Sequence, residues 1–156
     1  MSKSLKRVRA ALDAAGIAAE VLEMAEGTRT AAEAAAAAGC EIDQIVKSII
    51  FRGEASGHVV LFLTAGGNTV DSEKASAVAG QPLGRADADF VRAETGFAIG
   101  GVAPVGHLTP PVAYFDSRLL EFDVVWAAAG TPRHVFSMDP RALLRISGAQ
   151  RADFTA

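Results

Sequence analysis

Two short apolar runs most restrict what this chain can fold into: Ile45-Val46-Lys47-Ser48-Ile49-Ile50-Phe51 and Val59-Val60-Leu61-Phe62-Leu63, with a glycine-bounded gap at 53–57 between them. β-Branched and aromatic residues favour extended backbone. Two such runs joined by a short glycine-bearing gap predict a β-hairpin. The second run is continuously apolar. Lys47 is the exception inside the first.

The elements around the hairpin follow from helical spacing and stop signals. Leu5, Val8 and Leu12 predict an amphipathic helix over 4–15 with Gly16 as its stop. Residues 17–24, through Ile17, Val21 and Leu22, read as a first strand closed by Gly27. Thr30 and Glu33 have the spacing of a capping box, opening an alanine-rich helix that runs to Ala38 and ends at Gly39. A short helix is expected near 41–43. Further helices are expected at 70–79, capped near Asp71 or Ser72, and at 86–94, starting near Asp87, with 80–84 as a loop. Strands at 112–115 and 124–128, a turn at Gly130 and Pro132, a short strand led by Val135 and Phe136, and a helix at 139–144 complete the reading. Strands in the middle and at the end with helices between them predict a mixed α/β (α+β) fold with a mostly antiparallel sheet covered by helices. Without an internal repeat or linker, residues 1–156 are expected to form a single domain.

Composition narrows the function. Of 156 residues, 50% are hydrophobic and 21% charged, as in an ordinary globular domain. Cys40 is the single cysteine, so neither an intrachain disulfide nor a multi-thiolate metal site is expected, in keeping with a reducing, cytoplasmic setting. Lys3, Lys6, Arg7 and Arg9 are not followed by an uninterrupted apolar segment, and no stretch approaches the ~18 apolar residues that span a bilayer. A membrane location is therefore not expected. The net charge of −3 denies the chain the broad positive field of tight phosphate binders, so DNA is not expected as a partner and any RNA contact should be local.

The stretch Gly96-Phe97-Ala98-Ile99-Gly100-Gly101-Val102-Ala103-Pro104-Val105-Gly106-His107 carries four glycines and a proline. Such a loop can aim backbone N–H groups at a carbonyl or phosphate oxygen, with Gly100 and Gly101 removing side chains from the approach. A tight turn between strands is the plain alternative. It matches neither a P-loop nor a dinucleotide fingerprint. Lys47 either faces a cleft or partner, or is the solvent-facing lysine of a half-buried strand. His58, His107 and His134 show no metal-ligand spacing with one another or with Cys40. His58 is expected to be solvated in the hairpin turn, whereas His107 and His134 border the glycine loop and the 130–132 turn and can each enter a pocket as donors. Cys40 lacks a basic neighbour to activate it. Asp116 and Asp123 read as turn or cap residues. Lys3, Lys6, Arg7 and Arg9 read as a solvated helix face or an RNA-backbone contact. Arg29, Arg85 and Arg92 are scattered.

Thr30 before the alanine helix, the 45–51 run with Lys47, the 96–107 stretch and Ala129-Gly130-Thr131-Pro132 occur here in an ordered set that resembles the YbaK/EbsC family, related to the editing domain of bacterial prolyl-tRNA synthetase. The likeness extends over about residues 5–148. It implies a central, barrel-like, mostly antiparallel sheet surrounded by helices. It also implies hydrolysis in trans of tRNA mischarged with a small amino acid (alanine, cysteine, serine or threonine), with tRNA for proline as the expected carrier. On this resemblance Lys47 holds the substrate's 3′ end, and Gly100, Gly101, Val102, Ala103 and Pro104 form the loop that meets the scissile ester. Thr30, His107 and His134 fall near the substrate. No cofactor and no metal are implied, because the substrate's own groups and a positioned water replace a protein nucleophile. The acceptor end of mischarged tRNA is the expected partner, with a synthetase or elongation factor as a further one, and the chain is expected to be a monomer or weak homodimer. A binding module that has lost turnover, or an interaction protein using its sheet edge, are the rival readings.

Overall fold

The computed structural model describes residues 2–24 and 30–156; Gly27 and Arg29 lie outside the described residues. In chain order the elements are α1 (Lys3–Ala14), β1 (Val21–Glu23), α2 (Ala31–Ala38), β2 (Val46–Gly53), β3 (Val59–Ala65), α3 (Ser72–Ala79), β4 (Leu83–Arg85), α4 (Ala88–Thr95), β5 (Val112–Phe115), β6 (Val125–Thr131), β7 (His134–Met138), α5 (Pro140–Ser147) and β8 (Gln150–Arg151). Short 3-10 helices at Ile42–Gln44 and Ser117–Glu121 precede β2 and β6. The helix starts are chemically explicit. Thr30 Oγ1 accepts from Glu33 N, and Asp71, Asp87 and Asp139 accept from first-turn amides of α3, α4 and α5.

The hairpin forms as expected: β2 and β3 pair antiparallel from Val46↔Ala65 to Arg52↔Val59. β4 adds antiparallel to β2, while β5 joins β3 in parallel and β8 joins β5 in parallel, giving the order β4-β2-β3-β5-β8. A second, antiparallel sheet has the order β1-β7-β6. The fold is thus mixed α/β with mostly antiparallel pairing. Its two sheets do not close into a barrel: they touch at the isolated parallel bridge Ile45↔Trp126. Several bounds differ from expectation. The first strand contracts to Val21–Glu23, and part of the expected 80–84 loop becomes β4. β4 and β8 are edge strands of three and two residues whose pairing comes from passing an open sheet edge rather than from β-prone sequence.

β3 is buried along its whole length, which explains its unbroken apolar run. Alternation sends Val59, Leu61, Leu63 and Ala65 into the core containing Leu5, Val8 and Leu12 of α1 with Phe97, Phe115 and Phe136. Val60 and Phe62 face the opposite cluster with Ala75 and Phe154. There the Phe62 ring stands 4.9 Å from Phe154, 5.4 Å from Tyr114 and 5.7 Å from Phe51, centroid to centroid. No helix among the described residues is long and apolar enough to cross a membrane.

Candidate functional site

Where β2 and β6 diverge, a cavity of about 400 Å³ opens between them, roofed by α2 and bordered by Ile99, Gly100 and Val102. Its walls are mainly apolar. α2 turns Ala31, Ala34 and Ala38 toward it, and Ile45, Ile50, Val91, Trp126 and Val135 supply bulk. Of the described lining residues, Thr30, Lys47 and Ser48 alone bear hydroxyl or ammonium groups. The structure therefore brings Lys47, Thr30, Gly100 and Val102 to one cavity. The Thr30 hydroxyl is also tied into its cap, accepting from Glu33 N (3.1 Å) and donating to Glu33 Oε1 (3.1 Å).

Lys47 is neither stranded in the core nor simply solvated. Its Nζ donates to the Asn68 carbonyl in the turn after β3. The Asn68 side-chain amide donates to Asp116 Oδ2 (2.9 Å), which also accepts from Ala65 N (3.0 Å). Asp116 Oδ1 accepts from Arg118 N (3.0 Å), so Asp116 is the helix cap expected of it and a cross-link besides. Arg118 Nε reaches Asp43 Oδ2 at 2.9 Å, and Asp43 Oδ1 accepts from Gly67 N at 2.8 Å. The hydrogen bond from Arg118 holds the Asp43 carboxyl below its usual range against partial desolvation, helped by the Gly67 amide and by the charges of Arg118 and Lys47. Asp43, Asn68 and Arg118 were not among the residues expected at the site. The run Gly66-Gly67-Asn68 directly after a buried strand marks a turn, but nothing local in the sequence points from it to Lys47, Asp43 or Arg118.

The glycine loop splits in function. Gly100 has φ +91° and open space where a side chain would stand, and it faces the cavity. Gly101 faces the other way: a Cβ there would lie 2.8 Å from Thr131 Cα and C, and its N–H is taken by Ala98 O at 3.0 Å. Close packing on the β6–β7 turn, not access for a ligand, demands that glycine. The amides of Gly100 and Val102 donate to no acceptor among the described residues. Ala103 and Pro104 are buried beneath the loop rather than lining the cavity.

The histidines lie apart. His107 turns inward, not into the cavity: Nε2 contacts Ala103 O at 2.6 Å, and the ring meets Phe97 edge-on at 5.2 Å. A carbonyl only accepts, so the proton is on Nε2, leaving Nδ1 buried without a partner among the described residues. Burial pushes the His107 pKa down, the Ala103 hydrogen bond opposes this, and the Arg7 charge adds to the depression. Arg7 is likewise no member of a solvated face. Its Nη2 donates to Gly96 O (2.8 Å) and Nε to Gly106 O (3.2 Å), with the guanidinium 5.0 Å from the Phe97 ring centre. His134 borders a second cleft with Arg9, Glu23 and Thr131, its Nδ1 2.6 Å from Thr131 Oγ1. His58, expected to be merely solvated, pairs through Nδ1 with Glu94 Oε1 at 2.8 Å. The Cys40 thiol has its pKa raised by burial and by Glu41, so it is not activated.

Residues 25–146 match the family model described as an aminoacyl-tRNA editing domain. The chain is 31% identical over 144 residues, 92% of its length and 91% of the relative's, to the uncharacterized protein YwhH of Bacillus subtilis (strain 168). Among solved structures it is similar to a candidate trans-editing enzyme for prolyl tRNA synthetase, with 50% identity and a TM-score of 0.92 over 100% of this chain and 99% of that one. It is also similar to the hypothetical protein APE2540, with 32% identity and a TM-score of 0.87 over 96% of this chain and 99% of that one.

Proposed function

The chain belongs to the aminoacyl-tRNA editing domain family, and on that premise we propose that it is a cytoplasmic deacylase acting in trans on tRNA that carries a small, wrongly attached amino acid. The observation that carries the reading is the single cavity in which Lys47 and the Gly100 edge of the loop meet between apolar walls. A compact aminoacyl side chain fills such walls, while its ester carbonyl lies at the polar rim.

In this reading Lys47 binds the terminal adenosine or its phosphate at the cavity mouth. Water, oriented by a hydroxyl of the substrate that can take its proton, attacks the ester carbonyl. As the carbonyl oxygen gains charge, it is met by the N–H groups of Gly100 and Val102; Gly101, whose N–H already serves Ala98, contributes shape instead. The tetrahedral intermediate collapses by breaking the bond to the ribose oxygen, which takes up a proton, leaving free amino acid and intact tRNA. One oxyanion donor is worth about 3 to 4 kcal/mol in other hydrolases, so a loop with two donors needs no protein nucleophile to matter. A chain of net charge −3 suits recognition confined to the single-stranded acceptor end and the aminoacyl group esterified there, with tRNA for proline the first carrier to try and a synthetase or elongation factor as an additional source of selectivity.

The test is release of labelled amino acid from alanyl, cysteinyl, seryl and threonyl esters, each on tRNA for proline and on its own tRNA. Lys47→Ala is run alongside the wild type. Selective release that falls by ten-fold or more in the variant is expected. Near-normal turnover in Lys47→Ala would remove that lysine from the mechanism. Binding of a non-hydrolysable aminoacyl-adenosine analogue with no ester cleaved would make the chain a binding module.

A further inference from the structure

Lys47 lines the cavity from β2, and its ammonium is held by residues far from it in sequence. The Asn68 carbonyl that receives Nζ belongs to a turn, and a turn carbonyl is free to rotate unless its residue is held. Here it is held. The Asn68 side chain is tied to Asp116 Oδ2, and the same oxygen takes the amide of Ala65 at the end of β3. Asp116 is 6% exposed, one of three buried polar residues in the described chain. A buried carboxylate needs several donors to be tolerated, and Asp116 has three: Ala65 N, Asn68 Nδ2 and Arg118 N. Arg118 then closes the circuit through Asp43 to Gly67 N, the residue before Asn68. Both faces of the 65–68 turn are thus pinned, one by Asp116 and one by Asp43.

We infer that Asn68 and Asp116 are positioning residues that act through Lys47, fixing its ammonium at the cavity rim so that it meets the substrate without reorganising. A lysine has the most rotamer freedom to lose on engaging a ligand. Holding Nζ by one carbonyl leaves two N–H donors for a phosphate or ribose oxygen. A loosened lysine loses rate through misplacement, and displacement of a catalytic contact by about 1 Å can cost on the order of a hundred-fold.

The inference rests on the deacylase reading, so its test has one readout that needs activity and one that does not. In the first, a double-mutant cycle joins Asn68→Ala with Lys47→Ala. Asn68→Ala is expected to lower kcat/KM about ten-fold, with a raised KM carrying part of the loss because Lys47 holds the substrate. In the Lys47→Ala background it should do nothing further. If the two losses multiply, Asn68 acts on stability or on something other than Lys47 and the inference fails. In the second, the ¹⁵Nζ resonance of Lys47 is followed by NMR in wild type, Asn68→Ala and Asp116→Asn, each checked for a folded spectrum. The resonance should shift and its protons should exchange several-fold faster in both variants. An unchanged Lys47 signal in folded Asn68→Ala overturns the inference whether or not any ester is cleaved, whereas a responsive signal beside a chain that cleaves no ester sinks the deacylase reading alone.

Discussion

At the scale of single residues, adjacent glycines show how identical letters answer different demands. Gly100 is needed for its positive φ, Gly101 for a close approach to the Thr131 backbone. Gly100→Ala should cost about 1–3 kcal/mol through backbone strain alone. Gly101→Ala should cost a similar ~1–3 kcal/mol by overpacking, because the 131–132 backbone must move. Urea unfolding measures both losses, and amide NMR separates them: the Thr131 and His134 signals should shift in Gly101→Ala and stay in place in Gly100→Ala. His107 supplies a pH dependence. Its folded pKa lies below the usual value of about 6.5, so the unfolded chain binds the proton first as pH falls. The stability of neutral, buried His107 is complete above ~6.5 and drains away as pH falls from there toward the folded pKa. His107→Gln, which keeps a donor for Ala103 O but does not titrate, should therefore show a flatter dependence of the urea midpoint between pH 7 and 5. A wild-type slope no steeper than the variant's would rule this out.

At the scale of elements, α2 matters less for its own stability than for the side chains it withholds. Ala31, Ala34 and Ala38 recur at helical spacing, and their small size leaves the cavity open beneath them. Ala34 is buried in a small cluster with Ala35 and Ile45 and also lines the cavity. Ala34→Leu should fold with a Tm close to wild type while filling the pocket, and should reduce turnover of the larger aminoacyl esters more than that of alanyl. Equal loss across the panel would show that α2 does not gauge the side chain. The helix start was visible in the letters Thr30 and Glu33, and the capping bond is present. That the same helix would roof a cavity was not visible, because a run of alanines has no polar face to say which side turns inward.

At the scale of the molecule, the C-terminal tail closes a core that the hairpin opens. Phe154 is fully buried against Phe62, its carbonyl accepts from Asp71 N (2.8 Å), and Ala156 N reaches Thr69 O (2.9 Å). Phe154→Ala should therefore cost about 3–5 kcal/mol, as for other buried aromatics. A loss below 1 kcal/mol in urea unfolding would mean that the tail is dispensable. The gap between the sheets belongs to this scale too: they share a core through Leu61, Leu63, Val125 and Phe136 and meet at the bridge Ile45↔Trp126, and the cavity opens between β2 and β6.

The letters alone carried much that is encoded within one turn or one strand: the caps at Thr30, at Asp87 and near Asp71 or Ser72, the β2–β3 hairpin with its buried second strand, the exceptional Lys47 and the glycines of the loop. These depend on neighbours a few residues away, so local periodicity and φ preferences suffice to read them. Tertiary packing alone shows that Gly101 serves the turn at Thr131, that Arg7 secures the loop from behind, and that Asp43, Asn68, Asp116 and Arg118 stand around Lys47. Such placements arise from contacts between segments 20 to 100 residues apart, where a polar side chain goes wherever an unpaired buried donor or acceptor requires it. No local pattern in the chain carries that information; the packing of one element on another does.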